Sequence, residues 1–178
     1  MSTTTYLGIT KLVEGGRHPD VEVNAALDLI DGFLGNPARA RIYHNANQSI
    51  ANSTVTALAF NSERNDTNLI HDTSTNNSRL TCKTAGTYLI IFMAAFEANA
   101  TGVRTFQIRL NGSTVIGDSR AMAITVASTA SAQNVVSVYP LAVNDYVEAV
   151  VFQTSGGALN VLSAGNQSPE FMMIRMSA

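Results

Sequence analysis

The chain has 178 residues, 46% of them hydrophobic and only 13% charged, with a formal net charge of -2, one cysteine and no tryptophan. Its eleven Lys and Arg residues are scattered, which leaves no electrostatic footprint for nucleic acid or for docking on an anionic membrane; the lone Cys82 excludes an internal disulfide framework. The charged fraction is about half the roughly 25% of an ordinary soluble domain, so part of the surface is expected to be buried against other chains.

Asn, Ser and Thr supply the polarity, with 49 residues between them, a composition of strands and turns more than of helices. The longest apolar stretch, Tyr88 to Phe96, falls far short of the roughly 20 residues of a spanning helix, so membrane insertion is not expected. Met1 to Thr5 carries neither a basic flank nor a following apolar stretch of signal-peptide length, so a standard secretory route is not expected either.

Residues 1–38 differ in texture from the rest. After the irregular Gly15-Gly16 and His18-Pro19-Asp20, residues 21–34 read as the one convincing helix. Val23, Ala26, Leu27, Ile30 and Leu34 recur at three- and four-residue spacing and make an apolar stripe, and Gly35, Asn36 and Pro37 are expected to stop the helix. Fourteen residues are marginal as an isolated helix, so the stripe needs a partner.

From Arg39 onward short apolar segments alternate with turn clusters, the pattern of an antiparallel sandwich or barrel. Strands are expected near 39–44, 54–60, 79–82, 86–97, 103–110, 114–117, 132–141, 145–153, 158–162 and 170–176, with 61–78 as a long polar loop. Phe106 to Leu110 alternates and runs into Asn111-Gly112, the signal for a tight hairpin whose two turn residues take positive φ. Ser155-Gly156-Gly157 should make a second turn.

Two strands are apolar on both faces. In the first, Tyr88, Ile90, Phe92, Ala94 and Phe96 fall on one side, and Leu89, Ile91, Met93 and Ala95 on the other. The aromatic side fills a core, whereas the second side of an antiparallel sheet normally meets water and here calls for another cover. Phe171 to Met176 repeats the problem. The polar loop or the N-terminal arm could supply the cover; subunit association is the reading favoured by the low charge.

Three segments carry a family resemblance. Gly86-Thr87-Tyr88-Leu89-Ile90-Ile91-Phe92 resembles the Gly-x-Tyr-x-[aliphatic]-x-[aromatic] strand of the complement globular-head and tumour necrosis factor-like jelly rolls; Leu141-Ala142-Val143-Asn144-Asp145-Tyr146-Val147 resembles their Leu-x-x-Gly-Asp-x-Val turn; and the Phe171 strand fits their closing strand. Asn144 stands where Gly is usual, and Asn tolerates the left-handed backbone better than most residues. A narrower resemblance is to copies of this fold in bacteriophage structural proteins, carried by Arg41-Ile42-Tyr43, Ser49-Ile50, Ser62-Glu63-Arg64-Asn65-Asp66-Thr67, His71-Asp72, Arg79-Leu80-Thr81-Cys82 and Leu110-Asn111-Gly112. Tyr6-Leu7-Gly8-Ile9 and Val23 to Asp31 are similar to the N-terminal segments of phage fibre and neck proteins, which attach to the virion.

The resemblance implies an all-β, antiparallel jelly-roll sandwich over 39–178 that forms a homotrimer, preceded by an arm, residues 1–38, with one short helix. It implies Leu89, Ile91, Met93, Phe171 and Met173 at the threefold contact, Tyr88, Phe92 and Phe96 inside the sandwich, and Leu7, Val23, Leu27, Ile30 and Leu34 as the virion anchor.

The sequence assigns no catalytic residue and no cofactor. His18, His44 and His71 have no second His or Cys at metal spacing. Glu63, Asp66, His71 and Asp72 could be drawn as an acid–base or metal cluster, and Asp66, Asp72 or Asp118 as calcium ligands, but residues of this kind in polar loops usually bond their own backbone, and the calcium-loop spacing is missing. The more economical reading is that Glu63, Arg64 and His71 brace the loop or a neighbouring subunit. There is no Gly-x-Ser-x-Gly elbow, no phosphate-binding loop and no dinucleotide fingerprint, and Cys82 reads as a packed side chain. The expectation is a non-enzymatic trimeric bacteriophage virion protein of fibre or tail-tip type, assembled in the host cytoplasm, joined to other virion proteins through residues 1–38 and binding a host cell-surface glycan or protein through its loops. The alternatives are a purely structural neck, baseplate or capsid decoration protein and, last, a polysaccharide depolymerase.

Overall fold

The structure, a computed structural model, describes Ala25, Leu27, Asp28, Ile30 and residues 35–122 and 130–177. The chain divides into two compact units, residues 1–38 and 39–178. In the first, Ala25, Leu27, Asp28, Ile30 and Gly35 have helical backbone, so Gly35, expected to stop the helix, is itself helical. Of the anchor residues, Leu27 is half-buried and Ile30 exposed; Leu7, Val23 and Leu34 lie outside the described residues.

The second unit is a sandwich of twelve strands: β1 (Arg39–Tyr43), β2 (Gln48–Ile50), β3 (Thr56–Ala57), β4 (Ser62–Asp66), β5 (Arg79–Thr81), β6 (Gly86–Phe96), β7 (Val103–Leu110), β8 (Thr114–Met122), β9 (Ser131–Leu141), β10 (Tyr146–Gln153), β11 (Leu159–Val161) and β12 (Glu170–Ser177). Seven form one sheet in the order β2-β11-β6-β12-β1-β4, with β9 on the other side of β6; five form the second in the order β3-β10-β7-β8, with β5 on β10. Every named pairing is antiparallel.

Alternation in β6 decides where the core sits. Tyr88, Ile90, Phe92 and Phe96 are buried, as are Phe106 and Ile108 of β7 and, paired with Phe92 and Ile90, Phe171 and Met173 of β12. The rings interlock: Phe92 lies 6.1 Å from Phe171 and 6.2 Å from Phe106, Phe96 lies 5.5 Å from Phe106, and Phe60 stacks on Phe171 at 5.8 Å. Aromatic pairs in this range add to the stabilisation from area burial. Cys82 is buried as a packed side chain, and burial raises its pKa, which keeps it a neutral thiol.

Four expectations about strands need correction. β4 lies inside the segment expected to be loop; as an edge strand, exposed at three of its five positions, it needs no apolar alternation. β2 was not expected at all, and β8 continues to Met122 instead of ending at 117. Of 54–60 only Thr56-Ala57 joins a ladder; Leu58 and Phe60 are buried there and spend their N–H groups on the Ala149 and Asn77 carbonyls.

The turns follow their residues. Asn111 and Gly112 take φ of 51° and 77° between β7 and β8, and Asn144 takes φ of 74° at the position where the family has Gly. Asp145 ties these turns together by accepting from the Ala142 N–H at 2.8 Å and the Asn111 side-chain amide at 2.9 Å, and these bonds hold its carboxyl below the ordinary value of 3.8. A carboxyl with a lowered folded-state pKa stabilises the fold above the unfolded value, and that contribution disappears as pH falls through the folded one. Asp145→Asn is therefore expected to flatten the loss of stability below about pH 4, as read from denaturant midpoints across pH; an unchanged acid limb would remove Asp145 from the account.

Candidate association face

The seven-stranded sheet shows its second face to the outside. Directly opposed residues of paired strands lie on the same side, so the ladders assemble rows across it. Val138 of β9 stands beside Leu89 of β6, which stands beside Ile174 of β12; one row along are Val136, Ile91 and Met172. Val136 is 59% and Val138 62% exposed, while Leu89, Ile91, Met93, Met172 and Ile174 are half-buried. The result is a contiguous aliphatic face where an antiparallel sheet would ordinarily present polar groups to water.

The next row bounds the patch with charge. Asn134, Met93, Glu170 and Tyr43 are opposed there, and Glu170 is fully buried although it points away from the core. It accepts from Arg41 Nε at 2.5 Å and from Arg64 Nε at 2.7 Å and Nη2 at 2.5 Å; Arg64 lies 4.3 Å over the Tyr43 ring. The same arginines reach the carbonyls of Asn166 and Gly165, which closes the loop before β12 over the carboxylate. Hydrogen bonding to Glu170 raises the Arg64 pKa further. A carboxylate buried with two guanidinium partners holds β1, β4 and β12 in one register.

These rows correct part of the expected threefold contact. Leu89, Ile91 and Met93 lie together on the outer face, but Phe171 and Met173 are fully buried inside the sandwich, because β12 pairs Phe171 with Phe92 and Met173 with Ile90. Their places on the outer face are taken by Met172 and Ile174. Val136 and Val138, not singled out from the sequence, complete it; their signal was the valine at both parities in Val135-Val136-Ser137-Val138.

The polar loop is internally braced. Asp66 accepts from the N–H groups of Asn68 at 3.0 Å and His71 at 2.8 Å. The buried His71 ring bridges the Glu63 carboxylate at 2.8 Å and the Asn77 carbonyl at 3.2 Å. Asp72 caps Ser74 and Thr75, bonds that lower its pKa. Among the described residues no group of three or more His, Cys, Asp or Glu is gathered as a metal would need, and Asp118 is instead paired with Gln107 and Arg120. Beside the brace, Leu69, 82% exposed at φ 51°, rims a groove of about 460 Å³ shared with Asp72, Thr75, Asn76, Arg79 and Lys83.

With this geometry the chain superposes on solved structures of very different sequence. Murine APRIL matches at a TM-score of 0.59 with 10% identity, over 79% of this chain and 100% of that one. Eiger TNF from S. frugiperda matches at 0.57 with 11% identity, over 80% and 94%. The globular domain of zebrafish complement 1qA protein matches at 0.51 with 14% identity, over 77% and 93%. The fold is the tumour necrosis factor and complement globular-head jelly roll. No protein-family model matches the sequence, and a search of curated proteins found no match. In this jelly roll the aliphatic face belongs to the sheet built around the Gly86 to Phe92 strand, the segment that carried the resemblance.

Proposed function

We propose that the chain is a non-enzymatic homotrimer of a bacteriophage virion, fixed to the particle through residues 1–38 and projecting its jelly roll outward to bind a host cell-surface glycan or protein. The observation that supports the trimer is the contiguous aliphatic face of Leu89, Ile91, Val136, Val138, Met172 and Ile174, on a sheet face that would ordinarily present polar groups to water. The low charged fraction points the same way. The phage setting, with assembly in the host cytoplasm, rests on the similarity of the Ser62 to Thr67, His71-Asp72 and Arg79 to Cys82 segments, and of residues 6–9 and 23–31, to phage structural proteins. Host binding is supported by the braced loop, which offers the exposed Leu69 and the groove with Arg79 and Lys83 on a rigid support.

Deletion of the gene tests the adhesive role. Complete particles that no longer adsorb to cells are expected. Failure to form particles would replace this reading with the purely structural one, a neck, baseplate or decoration protein.

A further inference from the structure

Arg104, on the core face of β7, is fully buried and has no carboxylate partner among the described residues. Its Nη1 donates to the carbonyls of Thr101 at 2.8 Å and Val103 at 3.1 Å, and Nη2 donates to that of Asn99 at 3.2 Å, so the guanidinium gathers the β6–β7 loop. Among the described residues its Nε finds no hydrogen-bond partner, and neither does the buried Oγ of Ser131. These two orphans border one ring: Ser131 is the ladder partner of Phe96, and the Arg104 guanidinium carbon lies 5.9 Å from the Phe96 centroid.

The charge cannot be relieved by losing a proton, because a guanidinium stays charged even where burial lowers its pKa, as it does here. Nor does an acid of the jelly roll answer it. Residues 39–178 hold eight Asp and Glu side chains. Glu63 is held by His71, Asp66 by the N–H groups of Asn68 and His71, Asp72 by Ser74 and Thr75, and Glu97 by Asn160. Asp118 is held by Gln107 and Arg120, Asp145 by Asn111 and Ala142, Glu148 by Ser78 and Arg79, and Glu170 by Arg41 and Arg64. A buried cation without a counter-charge is among the costliest arrangements in a protein interior, and three carbonyl dipoles and the face of the Phe96 ring answer it only in part.

We propose that Arg104 Nε and Ser131 Oγ hold a small monovalent anion of the halide class beside Phe96. One negative charge balances the one guanidinium, and a halide-sized sphere accepts from an N–H and an O–H at once, where a water would satisfy both atoms but leave the charge uncompensated. This site is independent of the assembly and host-binding reading above.

The test uses the full chain, melted in sodium chloride and in sodium gluconate at equal ionic strength. Binding to the folded state alone raises the melting temperature with chloride, by about 5 °C or more once chloride is a hundredfold above its dissociation constant, and gluconate gives no such rise. Ser131→Ala should weaken the response and Arg104→Met abolish it. Because Arg104→Met can also fail to fold, crystals of the unaltered chain soaked in sodium bromide supply the second readout: an anomalous peak within hydrogen-bonding distance of Arg104 Nε and Ser131 Oγ is expected. Equal melting in both salts, a chloride response that survives both substitutions, or a water or a carboxylate of residues 1–38 at that position would overturn the proposal.

Discussion

In the trimer proposed above, Ile91→Asp is expected to leave a folded monomer. Ile91 sits in the middle of the aliphatic rows, between Val136 and Met172, with its side chain directed away from the sandwich core. In a single chain an aspartate there can reach water, so the jelly roll should keep its strands and most of its stability. In an assembly it would be buried without a partner three times over, and breaking such a contact costs about 3–5 kcal/mol for each uncompensated charge. Light scattering should read the mass of one chain, and far-ultraviolet circular dichroism should remain that of the unaltered protein. A variant that keeps the unaltered protein's mass would place the contact elsewhere.

Phe171→Ala and Met172→Ala will separate folding from assembly, although the two residues are adjacent. Phe171 is fully buried, stacked on Phe60 at 5.8 Å and edge-on to Phe92 at 6.1 Å, so its truncation leaves a cavity between the sheets and should cost about 3–5 kcal/mol of stability. Met172 faces outward against Ile91, and its truncation should cost the single chain about 1 kcal/mol or less while weakening the association. Denaturant midpoints and the concentration dependence of the solution mass read the two effects separately. Equal losses of stability would mean that the face assignment of β12 is wrong.

The parity of β12 is not legible in the sequence, and the reason is physical. Phe171-Met172-Met173-Ile174 is apolar at every position, so alternation gives no preference for one face; only pairing with β6 decides it, and the pairing is a long-range fact. The central strand was legible because its aromatic residues all fall on one parity. The hairpin at Asn111-Gly112 and the left-handed Asn144 were legible because positive φ is a local demand that few residues meet. β4 was hidden by its position at the sheet edge, where Ser62, Glu63, Arg64, Asn65 and Asp66 gain their place through ladder bonds to β1 and the reach of Arg64 to Glu170, 106 residues away. Glu170 and Arg104 gave no warning of burial, since both look like surface residues until the strands around them are placed. The bracing role of Glu63 and His71, by contrast, followed from the ordinary habit of polar loops to bond themselves.

The assembly of the unaltered full chain is the claim on which the rest depends, and its mass in dilute solution by light scattering tests it most directly. A mass three times the 18.9 kDa of one chain, held without change on dilution, is expected. A mass of 18.9 kDa would contradict it and would mean that the aliphatic face of Leu89, Ile91, Val136, Val138, Met172 and Ile174 is not a contact between copies.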